Sequence, residues 1–163
     1  MSKREKIILL AMAAVIAVLA AALLLRPEQK PEVVRGDFVP PEFDVAAVAG
    51  VPQVDVPAMY GTLYLNEETA VSLYSSPILR GETVQVFFTS HESNTAWVRL
   101  RLLDQKGNIL GQTGLLKPGE YVEYVALNVV PEHTAVIAKF LTYQPETYYS
   151  MGSASAEIEL QNN

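Results

Sequence analysis

Residues 7–25 are nineteen consecutive side chains drawn only from Ile, Leu, Ala, Met and Val. No polar or charged group interrupts them, and this run constrains the chain more than any other feature. At ~1.5 Å per residue it predicts a helix of roughly 28 Å, close to the ~30 Å hydrocarbon core of a bilayer. Lys3, Arg4 and Lys6 precede it and only Glu5 opposes them. Positive charge is retained on the cytoplasmic side, so residues 1–6 are expected inside and everything after Arg26 outside. The competing reading is a cleavable signal peptide: Ala20-Ala21-Ala22 satisfies the small-x-small rule. However, Leu23-Leu24-Leu25 carry the apolar run past that site, where a signal peptide normally turns polar, and the reading adopted is an uncleaved single-pass anchor. A lipid anchor on a cysteine is excluded because the chain has none.

Removing the anchor and the stretch after it leaves about one hundred residues, enough for one small domain. The absence of cysteine rules out a disulfide framework and thiolate chemistry. An exported, cysteine-free domain on a Pro-containing tether fits the bacterial envelope better than the disulfide-stapled secreted classes. From Tyr60 onward six basic residues face eleven acidic ones. No basic stripe is present to neutralise phosphates, so nucleic acid is not an expected partner, and contact of the outer domain with anionic lipid is disfavoured.

Residues 26–58 carry six of the ten prolines and read as an extended linker, because proline fixes φ and removes a backbone donor. Within it, Phe38 and Phe43 flank Pro40-Pro41. Two readings stand: the aromatics fold back onto their own domain, or they form a docking segment for a partner.

From 59 to 163 the texture changes. Short runs alternate apolar and polar residues: 61–65, 70–74, 83–88, 96–103, 109–113, 121–128, 134–143 and 153–160. Turn residues separate them, among them Gly107 and Lys117-Pro118-Gly119. A period of two, with no helical period among the runs, predicts an all-β domain. The length and strand number predict an immunoglobulin-like β-sandwich of seven to eight strands.

Catalytic and metal-binding patterns are lacking. His91 and His133 both fall in polar loops, and there is no Gly-x-Ser-x-Gly elbow, His-Glu-x-x-His or cysteine pair. The segment Asp104–Asn108 resembles a truncated calcium loop, but Lys106 occupies a ligand position, and a hairpin turn is expected. The chain is therefore read as a non-enzyme without cofactor or metal. The candidate binding residues are aromatic. Tyr143, Tyr148, Tyr149 and Met151 fall between the last two strands, and tyrosine suits recognition loops because it offers contact area at low entropic cost. Trp97 alternates with Arg99 and Arg101 on the outward side of its strand, a second candidate for protein contact. The leading reading is a protein-binding envelope domain. The alternative is a carbohydrate- or cell-wall-binding module using the Tyr143–Met151 loop.

The segment Ala96-Trp97-Val98-Arg99-Leu100-Arg101-Leu102-Leu103-Asp104, followed by Gly107-Asn108-Ile109-Leu110 and by Thr113-Gly114-Leu115-Leu116-Lys117-Pro118-Gly119, carries a resemblance. It resembles small membrane-anchored proteins encoded in conjugative and other mobile elements of Gram-positive bacteria. Their pattern is a basic N-terminus, one membrane helix, a polar or Pro-containing linker and one outer β-domain. The similarity covers residues 60–160 and departs at Pro131-Glu132-His133, where a Gly-Tyr-like entry to the next strand is expected. The resemblance implies an accessory role in conjugation or surface assembly and brings no catalytic residue.

The anchor reading makes a direct prediction. The intact protein should sediment with membranes, and its N-terminal sequence should begin at Met1 or Ser2. A mature chain beginning at Leu23 would mean a secreted domain instead.

Overall fold

The structure is a computed structural model that describes residues 39–52 and 60–162. The expected anchor at 7–25 and Phe38 lie outside the described residues, and among the described residues no helix is long and apolar enough to cross a membrane.

Among the described residues, eleven strands make up two sheets: β1 (Val48–Ala49), β2 (Tyr60–Asn66), β3 (Thr69–Tyr74), β4 (Ile78–Arg80), β5 (Thr83–Ser90), β6 (Trp97–Leu103), β7 (Ile109–Gln112), β8 (Glu120–Ala126), β9 (Ala135–Tyr143), β10 (Ser150–Glu159) and β11 (Gln161–Asn162). Each of the eight expected runs has a counterpart among β2, β3 and β5–β10. The three others, β1, β4 and β11, are too short to carry a visible period. The larger sheet runs β1-β8-β5-β3-β2, with β4 on β5 and β11 on β4; the smaller runs β10-β9-β6-β7. Named strands pair antiparallel except β11 with β4.

β5 organises the larger sheet. Its first half pairs with β4 and its last residues with β3, while β8 runs along its other edge. The register with β8 shifts between Gln85 and Phe88, and Phe87 there takes a positive φ of 46°. One extra residue bends β5, which lets it pass from β4 to β3 along the same edge.

The two sheets share one core. Val71, Leu73, Val84, Val86, Phe88, Val122 and Val125 come from the larger sheet. Val98, Leu100, Leu102, Leu110, Val136, Ala138, Phe140 and Ile158 come from the smaller. Phe88 and Phe140 meet with ring centroids 6.0 Å apart and planes 29° apart, an offset aromatic contact from one sheet to the other. The domain is all-β and sandwich-like.

Part of the stretch expected as linker belongs to this body, since the compact unit runs from Val39. Phe43 bridges Leu115 in parallel, and β1 pairs antiparallel with β8 through Val48↔Tyr121. Asp44 fastens the segment. Its backbone N–H donates to the Leu115 carbonyl at 3.0 Å, and its carboxylate accepts the N–H groups of Gly114 (2.7 Å) and Ala46 (2.9 Å). Proline restricts a chain without preventing isolated bridges, so this strap forms where a long central strand would not.

The strap is closely seated at Gly114. A Cβ there would lie 2.7 Å from the Phe43 carbonyl carbon and closer still to the Asp44 main chain. Gly114→Ala should therefore lift the strap and cost about 1–3 kcal/mol, read as a lower melting midpoint. Gly61→Ala, whose Cβ meets open space, should leave the midpoint within about 1 kcal/mol of the parent. Equal melting of the two variants would mean that the strap contributes nothing to stability.

Candidate functional site

The outward residues of β6 are Trp97, Arg99, Arg101 and Leu103, all half-buried, since the intervening Val98, Leu100 and Leu102 enter the core. The site forms on this outer face of the smaller sheet.

At one end lies an aromatic cluster built from three separate segments. Trp97 packs edge-on against Phe43 of the strap, with centroids 4.8 Å apart, and against Tyr148, 5.0 Å away. Tyr143 is the direct cross-strand partner of Trp97 on β9. Lys117 Nζ sits 4.8 Å above the Phe43 ring, a cation–π contact. Of the two readings of Phe43, the fold-back is the one seen.

The β9–β10 loop is held by its own backbone. The Gln144 N–H donates to the Tyr149 carbonyl and the Tyr148 N–H to the Gln144 carbonyl. Glu146 and Tyr148 take positive φ values of 68° and 58°. This tight reversal turns Tyr148 toward Trp97 and leaves Tyr149 71% exposed. Met151, expected in the loop, instead lies in β10 and is 46% exposed. The four loop residues thus do not act as one tip: Tyr143 and Tyr148 join the Trp97 cluster, while Tyr149 and Met151 face solvent.

Beyond the aromatics the face is cationic. Arg99 Nε donates to the Thr113 carbonyl at 2.7 Å, and Arg101 Nε donates to Gln112 Oε1 at 3.1 Å. Lys139 stands directly opposite Arg101 on β9. An open cleft of about 450 Å³ is lined by Arg99 and by Glu42 and Asp44 of the strap.

Two other groupings were not visible in the sequence. The outer face of the larger sheet carries Tyr60, Tyr64, Tyr74, Tyr121 and Tyr124, five of the chain's eight tyrosines. Their floor is a polar network. The Thr62 and Ser72 hydroxyls meet at 3.0 Å, Tyr60 bonds Thr89, and Gln85 Nε2 donates to Glu123 Oε1 at 2.8 Å. Burial pushes the Tyr60 phenol above its ordinary pKa, against the opposing pull of its bonds to Thr89 and Ser72. A hydrogen bond with Glu123 raises Tyr124 in the same direction.

The second grouping concerns His91, whose Nε2 lies 3.4 Å from the Ser72 hydroxyl rather than from its neighbour Ser90. Ser72 is buried and already bonded to Thr62, so its oxygen is not presented to a substrate. Asp104 closes the β6–β7 hairpin, as expected. Its carboxylate accepts from the Asn108 side chain and from the N–H groups of Asn108 and Lys106, which holds it below the usual carboxylate range, with the Asn108 side chain the largest cause. Among the described residues no group of three or more His, Asp or Glu side chains converges as a metal site.

The fold and this face define a two-sheet all-β domain with an aromatic and cationic surface on its smaller sheet. No protein-family model matches the chain, and no match to it was found among curated proteins or solved structures.

The split within the tyrosine loop is measurable. Tyr148→Ala should cost about 1–2 kcal/mol, a drop of roughly 4–10 degrees in melting midpoint, and should redshift Trp97 emission. Trp97 is the only tryptophan, so the fluorescence reports this cluster alone. Tyr149→Ala should stay within about 0.5 kcal/mol of the parent. Equal destabilisation by both would mean that Tyr149 is also packed.

Proposed function

We propose that this chain is a non-enzymatic, single-pass envelope protein that holds an immunoglobulin-like β-sandwich outside the membrane as a protein-docking module. Residues 7–25 are the anchor in this reading, residues 1–6 are cytoplasmic, and the domain lies on the extracytoplasmic side. The resemblance carried by residues 96–119 supports an accessory role in conjugation or surface assembly, as in the membrane-anchored proteins of Gram-positive mobile elements that it resembles.

The observation that carries the reading is the outer face of β6. Trp97, Arg99 and Arg101 stand in one row beside Tyr143, Leu141 and Lys139 of β9. Tryptophan, tyrosine and arginine dominate binding energy at protein interfaces, where they anchor in partly desolvated patches. This row combines all three on one sheet face, with Trp97 anchored between Phe43 and Tyr148.

Carbohydrate binding is the second reading, and a different observation favours it. On the larger sheet, exposed Tyr124 stands beside Gln85 and Glu123, a ring next to hydrogen-bonding groups of the kind suited to sugars. The expected Tyr143–Met151 loop suits sugars less well, because Tyr148 is engaged with Trp97.

A photo-crosslinking residue placed at Leu141 in intact cells tests the docking reading, with the same residue at Tyr64 as comparison. A discrete protein adduct from Leu141 and none from Tyr64 is the expected result. Adducts from neither position, together with retention of the purified domain on cell-wall polysaccharide, would replace protein docking by carbohydrate binding.

A further inference from the structure

One rung crosses the smaller sheet from edge to edge: Ser155 on β10, Lys139 on β9, Arg101 on β6 and Gln112 on β7. Its two central positions are both cations. Directly opposed like charges on a sheet face repel and destabilise the strand pair. Arg99 adds a third cation one step along β6, opposite Leu141. These are three of the six basic residues in a stretch that carries eleven acidic ones, so the clustering runs against the domain's overall charge.

Among the described residues, no acid stands directly opposite Lys139 or Arg101. Glu157 sits diagonally from Lys139, opposite Ile137. Glu42 and Asp44 line the same cleft as Arg99, and the Asp44 carboxylate accepts the Gly114 and Ala46 N–H groups. Among the described residues the two arginines donate to neutral acceptors, the Thr113 carbonyl and the Gln112 amide, each through Nε. That leaves the terminal guanidinium nitrogens to form a fork for a planar anion, the geometry arginine offers to a carboxylate. Rows of aliphatic residues flank the rung, Leu103 and Ile137 on one side and Leu141 on the other.

We infer that the Arg101–Lys139 rung, with Arg99 beside it, is a receptor for carboxylate side chains of an acidic segment in the protein partner. This inference rests on the docking reading above and adds the chemistry of what docks. Charge complementarity argues for it: a second copy of this acidic domain would bring mostly like charges elsewhere, whereas an acidic peptide supplies what the rung lacks. The rung costs stability in the free domain and is compensated when the partner's carboxylates arrive.

The experiment has two readouts on the purified full-length protein in detergent. The first is stability: Lys139→Gln should raise the melting midpoint by about 2–5 degrees, because it removes one member of the opposed pair. The second is binding of a hexaglutamate peptide, followed by titration at low ionic strength. The parent should bind, Arg101→Gln and Lys139→Gln should each weaken binding about tenfold, and added salt should weaken it in the parent. Arg80→Gln, a cation on β4 of the other sheet, should leave binding unchanged. A lower midpoint in Lys139→Gln would show that the rung is satisfied in the free domain and would overturn the proposal. So would peptide binding equal in all variants, or none in the parent. Adducts from Leu141 in cells that persist unchanged in Arg101→Gln and Lys139→Gln would keep the docking reading and overturn the acidic partner. Absence of adducts from Leu141 in the parent would remove the docking reading itself.

Discussion

The two-residue period of β6 couples the core to the candidate site. Val98, Leu100 and Leu102 point into the space between the sheets, where the Phe88–Phe140 contact joins the two halves of the core. Trp97, Arg99 and Arg101 therefore point outward. A slip of one residue would drive two arginines into the core and expose three aliphatic side chains, so the register is strongly specified. β6 is also hydrogen-bonded on both edges, to β9 and β7, and Val98 exchanges backbone bonds with Leu116 beyond β7. The cationic and aromatic row thus sits on one of the two central strands of its sheet.

The strap fixes the end of that row. Phe43 reaches Trp97 because Asp44 bonds Leu115 and Gly114 just beyond β7. Each contact depends on the others: Gly114 admits the Asp44 main chain, Asp44 orients Phe43, and Phe43 covers one edge of the Trp97 ring while Lys117 covers the Phe43 ring. The aromatic cluster is an assembly of three distant segments rather than a property of one loop.

This explains what the sequence disclosed. The eight longer strands were legible because a period of two over four or more residues is a local signal, as in Val136, Ala138 and Phe140 of β9. β1, β4 and β11 were not, since two or three residues carry no period. The outward direction of Trp97 followed from alternation, but its neighbours Phe43 and Tyr148 lie far away along the chain. Lys139 escaped notice for the same reason, because its position opposite Arg101 depends on the register of β6 against β9. The five tyrosines of the larger sheet were scattered over β2, β3 and β8, and only pairing gathers them. Proline content in the expected linker concealed that residues 39–52 are tied down and include the short strand β1.

That tie also decides how the domain would respond to mechanical tension. A pull on the chain at residue 39 reaches the parallel bridge at Phe43 and Leu115 before it reaches β1, and reaches β1 before any strand that fills the core. The first bonds to carry the load are those of Asp44 and Glu42 to the Leu115 backbone. Yielding there would uncover one side of Trp97 while the two sheets stay closed, so the strap would act as a mechanical fuse whose failure changes the binding face and spares the fold.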